Sequence, residues 1–187
     1  MFTSIEIMEL SQWQLFALCL ALNLAFGLPA LFLHLPVYLD SVGTILATRW
    51  GGLRLGIGCG LAYSIVASIK SPTYGLYFLT VVGVAYFTKA ARPYGFLDRW
   101  APTIVCAIAL AVLCAFLSAP ITFLLNGNTM MGEGPDRLKA LFLTQQVVNA
   151  GLFAEFLDKT LTCVLCLLLA RWLRIGRPEK DKFAART

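Results

Sequence analysis

The sequence predicts an all-α integral membrane protein: a compact bundle of six transmembrane helices, the second of them short, with both termini in the cytoplasm. Composition sets the class. Of 187 residues 59% are apolar and only 13% charged, and mean hydropathy is strongly positive. Soluble domains run at about 45–50% apolar and about 25% charged. Uninterrupted apolar runs set the helices. Residues 13–33 and 101–125 carry no formal charge, and each is longer than the ~20 residues of helix that cross the hydrocarbon layer.

The first run has Glu6 and Glu9 before it, no basic flank and no cleavage site after it, so it reads as a span rather than a secretory leader. Further runs follow at 52–69, 74–91 and 151–173, with a shorter one at 40–50. Breaks fall where helix breakers or charges cluster: Pro29 to Pro36, Gly51-Gly52, Ser71-Pro72, Arg92-Pro93-Tyr94-Gly95 and Asn126 to Pro135. The reading gives one transmembrane domain over 1–174 and a basic cytoplasmic tail over 175–187.

Lys and Arg are retained on the cytoplasmic side of short loops. With six crossings, one side collects Arg49, Arg54, Lys89, Arg92, Arg99, Arg171, Arg174, Arg177, Lys180, Lys182 and Arg186. The other collects Lys70, Arg137 and Lys139, and Lys159 lies inside the last helix. This fixes a cytoplasmic C-terminus. The 40–50 run reaches only about 16 Å as a helix; if it merely dips into the bilayer, five crossings and an external N-terminus give the same charge count. Six is preferred, because residues 35–39 can extend the short helix and its neighbours can shield its ends. The net charge of +5 sits on the cytoplasmic rim, where anionic lipid attracts it, and calls for no nucleic acid.

The six cysteines all fall within spans. Cys163 and Cys166 form a C-x-x-C on one face, but a metal site needs a second pair or nearby histidines, and the only histidine is His34. They read as small packing residues.

Three features rise above a generic span. On the first helix Ala17, Ala21 and Ala25 share one stripe at a spacing of four. That is a flat strip for close helix approach, inside the bundle or against a partner. Asn23 lies on a different face and is available to line a polar interior. Next, Asp40 opens the short helix, with Thr44 one turn on, and either caps it or serves a ligand. The Gly51-Gly52 turn then leads into Gly56, Gly58 and Gly60, which allow close backbone packing. A nucleotide loop is a poor reading there, since no βαβ pattern surrounds it.

Third, residues 138–173 exceed one upright span and are expected to divide near Asn149-Ala150-Gly151. An amphipathic outer piece would carry Gln145, Gln146 and Asn149. Below it, in "EFLDKT", Glu155 and Lys159 are i and i+4, with Asp158 beside them and Thr162 further along. Ionisable residues inside a span are costly and face a cavity or one another. The cluster is therefore a structural ion pair or the lining of a small-molecule pocket.

On these residues the chain resembles the substrate-binding S components of energy-coupling-factor (ECF) vitamin transporters. The shared pattern is the helix 1 alanine ladder, then an acidic start, a short second helix, a Gly-rich turn and a Gly-rich third helix. "LDSVGTIL" and "EFLDKT" resemble a queuosine-precursor-linked subgroup. The turn reads Gly-Gly where many members have Gly-Pro, and no vitamin-specific motif is present.

The resemblance implies a transport subunit that is not itself an enzyme and holds no cofactor or metal. It would capture a small heterocycle from outside, a queuosine precursor (a deazapurine) or a pyridine or pyrimidine vitamin. Docking through Ala17, Ala21 and Ala25 would join it to a membrane T subunit carrying two cytoplasmic ATPases. The chain has no G-x-x-x-x-G-K-[ST] loop of its own. The implied pocket lies near the outer surface under the 33–39 loop, between helices 4 to 6. Its candidate contacts are Asp40, Gln145, Gln146, Asn149, Glu155, Asp158 and Lys159, with Tyr63, Tyr74 and Tyr77 for stacking. Two other classes share parts of this pattern. A membrane sensor would use the pocket to signal to a partner kinase. An intramembrane enzyme would use Glu155, Asp158 and His34 as acid and base, but no nucleophile–base–orienter constellation accompanies them.

Overall fold

The chain enters its first helix through a capping box. Ser11 Oγ accepts from the Gln14 amide at 3.3 Å, and Gln14 Oε1 accepts from the Ser11 amide at 2.9 Å, so two of the first unpaired N–H groups are satisfied. The computed structural model describes residues 10–33, 37–70, 72–130 and 145–173. Side chains are described throughout these ranges except at 119 and 122–152. The helices are α1 (Gln12–Phe32), α2 (Val42–Gly51), α3 (Leu53–Lys70), α4 (Phe78–Ala91), α5 (Trp100–Met130) and α6 (Gln145–Leu173), with 3₁₀ turns at Pro72–Tyr77 and Arg92–Tyr94. No strand occurs among the described residues.

Gln12–Phe32, Leu53–Lys70 and the Trp100–Ser118 part of α5 are each long and apolar enough to cross a membrane. Only 28%, 33% and 28% of their most apolar stretches is buried. A soluble protein hides its most apolar helices; these turn outward. Ile65, Ile69, Val105, Val112, Phe116, Phe153 and Leu161 are among the large apolar side chains left exposed.

The interior is organised around α2, the least lipid-like helix. Val42 to Thr48 are all buried, as is Trp50, because α1, α3, α4 and α6 all pack on it. Close approach makes this possible. A Cβ built on Gly43 falls 1.8 Å from the Cys19 carbonyl oxygen, and one on Gly56 falls 1.8 Å from Thr48 Oγ1. No residue but glycine fits either position without moving a helix. Gly52 ends α2 at φ 90°, a conformation that glycine adopts without steric cost.

These contacts also set the registers. Gly51 meets Leu15 and Gly43 meets Cys19, so α2 runs antiparallel along the first half of α1. Gly56 meets Thr48 and Gly60 meets Thr44, so α3 returns antiparallel to α2. Beyond α2 the upper parts of α1 and α3 meet directly: Gly27 lies against Tyr63, and Lys70 Nζ donates to the Leu31 carbonyl at 3.2 Å. With 10 residues against 21 and about 1.5 Å per residue, α2 reaches only about half the length of α1. Where it stops, the partly buried segment 37–41 continues the chain against α6.

Two expectations are corrected here. Helix α6 runs unbroken from Gln145 to Leu173, with no division at Asn149-Ala150-Gly151. A single glycine costs a helix interior only about 1 kcal/mol, too little to break one packed along α5. The 74–91 run is a 3₁₀ turn followed by a 14-residue helix, because Pro72 and Gly75 favour a tighter start. His34, the N-terminal residues 1–9 and the tail 174–187 lie outside the described residues.

Candidate functional site

Four charged side chains converge where α2 stops. Asp158, on α6, is fully buried, and Lys159 beside it is 3% exposed. Asp158 Oδ1 accepts from two successive backbone amides, Tyr38 at 2.8 Å and Leu39 at 2.7 Å. Adjacent N–H groups turned to one side form an anion-binding concavity. It forms here because Leu39 holds φ 50°, a left-handed conformation uncommon for a leucine. Asp158 Oδ2 accepts from Lys159 Nζ at 2.5 Å. Asp158 therefore pins the 37–41 segment to α6.

Lys159 also reaches Ser41 Oγ at 3.4 Å, and its separation from Glu155 Oε2 is 3.8 Å. The Glu155–Lys159 relationship expected from i,i+4 spacing is thus the looser of two. Neighbours in sequence lie about 100° apart on a helix and rarely meet. Asp158 and Lys159 meet because both turn toward the segment beside them. Glu155 also accepts from Ser118 Oγ of α5, at 3.5 Å through Oε1; among the described residues its Oε2 is buried with no hydrogen-bond partner. Asp40, partly exposed, accepts from Ser41 Oγ at 2.9 Å. Tyr38, Tyr63 and Tyr74 lie within electrostatic range of Asp40, and Tyr77 within range of Tyr38 and Tyr74.

Asp40, Glu155, Asp158 and Lys159 thus come together, with Tyr63, Tyr74 and Tyr77 around them. Gln145, Gln146 and Asn149 fall on the first turns of α6, and their side chains lie outside those described. Sequence reasoning missed Tyr38, Ser41 and Ser118. Ser118 left a trace as one of few hydroxyls in an apolar run, whereas Tyr38 enters through its backbone and left none. Asp40 does not cap α2. Ser41 is the N-cap residue and makes no side-chain cap; the Gly43 amide donates instead to Asn23 Oδ1 at 2.6 Å. Asn23 Nδ2 donates in turn to Thr44 Oγ1 at 3.1 Å, so Thr44 faces α1 and not the charged cluster.

The alanine stripe has one environment. Ala17, Ala21 and Ala25 are all exposed, with Trp13 and Pro29 extending the same line. The buried face of α1 is Leu15, Cys19, Asn23, Gly27 and Ala30. The strip therefore faces out of the molecule and is no part of its internal packing. Cys163 and Cys166 are buried, and the Cys166 thiol lies 3.5 Å from the Val42 carbonyl. Among the described residues no group of three or more His, Cys, Asp or Glu is placed to hold a metal ion.

Fold and site together define a helical protein in which three helices are long and apolar enough to cross a membrane, with a buried cluster of charges between its helices. No family model, curated protein or solved structure matches the chain.

Proposed function

We propose that the chain is the substrate-binding S component of an ECF-type importer. In this reading it crosses the cytoplasmic membrane six times, with both termini inside. It captures a small heterocyclic micronutrient, a queuosine precursor or a vitamin-like molecule, from the outer face. A membrane T subunit with two cytoplasmic ATPases then drives uptake. The observation that carries the reading is the division of labour on the two faces of the bundle. The charged cluster with its tyrosines lies inward, half-way along α1, while the small-residue stripe of the same helix lies outward and bare. A pocket and a docking strip on separate faces let binding and coupling be changed independently.

The placement of charge supports the direction. Arg49, Asp98 and Arg171 gather at the opposite end from the cluster: Arg49 pairs with Asp98, and Arg171 reaches the Asp98 carbonyl at 3.4 Å. Basic ends are retained in the cytoplasm, which in this reading puts the cluster in the outer half of the bundle.

Replacing Ala21 with Trp separates the two roles. The variant chain, purified from its host membrane, is expected to carry the same small molecule by native mass spectrometry as the unaltered chain. It is expected to lose the co-purifying membrane subunit and ATPases, because a bulky side chain spoils helix approach without touching the cluster. If ATPases still co-purify after Ala17, Ala21 and Ala25 have all been enlarged, the docking role is wrong. A co-purifying kinase in place of ATPases turns the reading to a sensor.

A further inference from the structure

Resting on that reading of the cluster, we propose that the ligand is an organic cation: a planar molecule bearing a protonated amine or amidine. Its charge is held between Glu155 and Asp40, and its ring lies against the tyrosines. The argument is one of charge and of unused hydrogen-bonding capacity. Three carboxylates, Asp40, Glu155 and Asp158, face one ammonium, Lys159. Asp158 and Lys159 neutralise each other at 2.5 Å, and the second oxygen of Asp158 is occupied by two amides. Neither is free for a ligand. Among the described residues Asp40 makes no ion pair, and Glu155 has only the loose 3.8 Å pairing with a Lys159 already held at 2.5 Å by Asp158, so the one ammonium does not balance the carboxylates around it.

An independent observation points the same way. Four buried side-chain oxygens among the described residues lack a hydrogen-bond partner, and two of them, on Glu155 and Thr162, lie on the face of α6 that carries Asp158 and Lys159, whereas Thr160 lies about 140° round the helix from Glu155. Thr162 is fully buried, on the stripe between Asp158 and Lys159. Buried polar atoms are almost always paired, so these two atoms mark a place completed by something the described side chains do not supply. Glu155 Oε2 is an acceptor, and so calls for a donor. Tyr38, Tyr63 and Tyr74 lie within electrostatic range of Asp40, and the faces of such rings attract cations. An anionic ligand would meet Asp40 and Glu155 as like charges.

The test uses the full chain in detergent and three matched planar probes: benzamidine (cationic), benzamide (neutral) and benzoate (anionic). Benzamidine is expected to raise the melting temperature and to bind about tenfold or more tightly than benzamide, as a charged hydrogen bond implies. Benzoate is expected to give no shift. Glu155→Gln and Asp40→Asn should each erase the preference for benzamidine; if one variant fails to fold, the other carries the same comparison. Benzamide or benzoate binding as tightly as benzamidine, or no probe binding the unaltered chain, overturns the proposal. So does a preference that survives in both variants. A lost preference in a chain that still carries a micronutrient and recruits ATPases overturns the cation alone. A clear preference in a chain that recruits none overturns transport alone.

Discussion

At the scale of single residues, the charged cluster contains two kinds of carboxylate, and their environments separate them. Asp158 is fully buried and makes three close hydrogen bonds, whereas Glu155 makes one long one. Asp158→Asn leaves the Lys159 ammonium buried without its nearest counter-ion, so stability should fall by roughly 3–5 kcal/mol. Glu155→Gln should change it by less than about 1 kcal/mol, since a loose pair contributes little. Unfolding of the two variants in detergent reads the difference directly, and equal losses would return Glu155 to a structural role. Asn23 makes a second test. Leucine there strands the Gly43 amide and the Thr44 hydroxyl in the interior, at a cost of about 1–3 kcal/mol per lost partner. Asn23→Asp keeps the acceptor for Gly43 and should recover part of the loss; if it recovers none, the cap reading is wrong. The residue types of the cluster were legible in "EFLDKT", but their pairing was not. Spacing names the neighbours on one helix, and here the decisive partners are backbone amides 119 and 120 positions away.

Among the elements, α1, α3 and α5 were legible because lipid demands long apolar runs and little else. The short helix was legible as an apolar run with a glycine turn after it, but its beginning was not. Its Gly43 amide is satisfied by Asn23 from α1, and no local signal announces a cap supplied from another helix. The glycines of the third helix also proved unequal. A Cβ on Gly56 would meet Thr48 Oγ1 at 1.8 Å, while one on Gly58 would meet only Phe16, at 3.7 Å. Gly56→Ala should therefore destabilise by about 1–3 kcal/mol through overpacking. Gly58→Ala should stabilise by about 0.5–1 kcal/mol, because alanine loses less backbone freedom in a helix. Opposite signs two residues apart are hard to obtain by any route except the packing described. Thermal unfolding of the pair, read against the unaltered chain, decides it, and a shared sign would remove α2 from its place against α3.

For the molecule as a whole, a surrounding bilayer would account for the outward apolar faces, and Arg49 and Arg171 mark one end as basic. Trp100 and Trp172 are exposed beside Arg171, whose guanidinium lies 5.4 Å from the Trp100 ring centre. Amphipathic rings of this kind settle at the headgroup level, and in the proposed reading the basic residues put that end in the cytoplasm. The number of crossings then fixes the N-terminus. If α2 counts as a crossing, although α1, α3, α4 and α6 cover it on every side, residue 3 is cytoplasmic; if it does not, residue 3 is outside. Single cysteines replacing Thr3, Gly127 and Thr187, in a background without the six native cysteines, report this to a membrane-impermeant maleimide on intact cells. Gly127→Cys is expected to label at once, because α5 runs on past Ser118 toward the outer end. Thr3→Cys and Thr187→Cys should label only after the membrane is opened. Labelling of Thr3→Cys from outside, with Thr187→Cys still protected, would leave five crossings. It would also remove the shared topology on which the S-component reading depends.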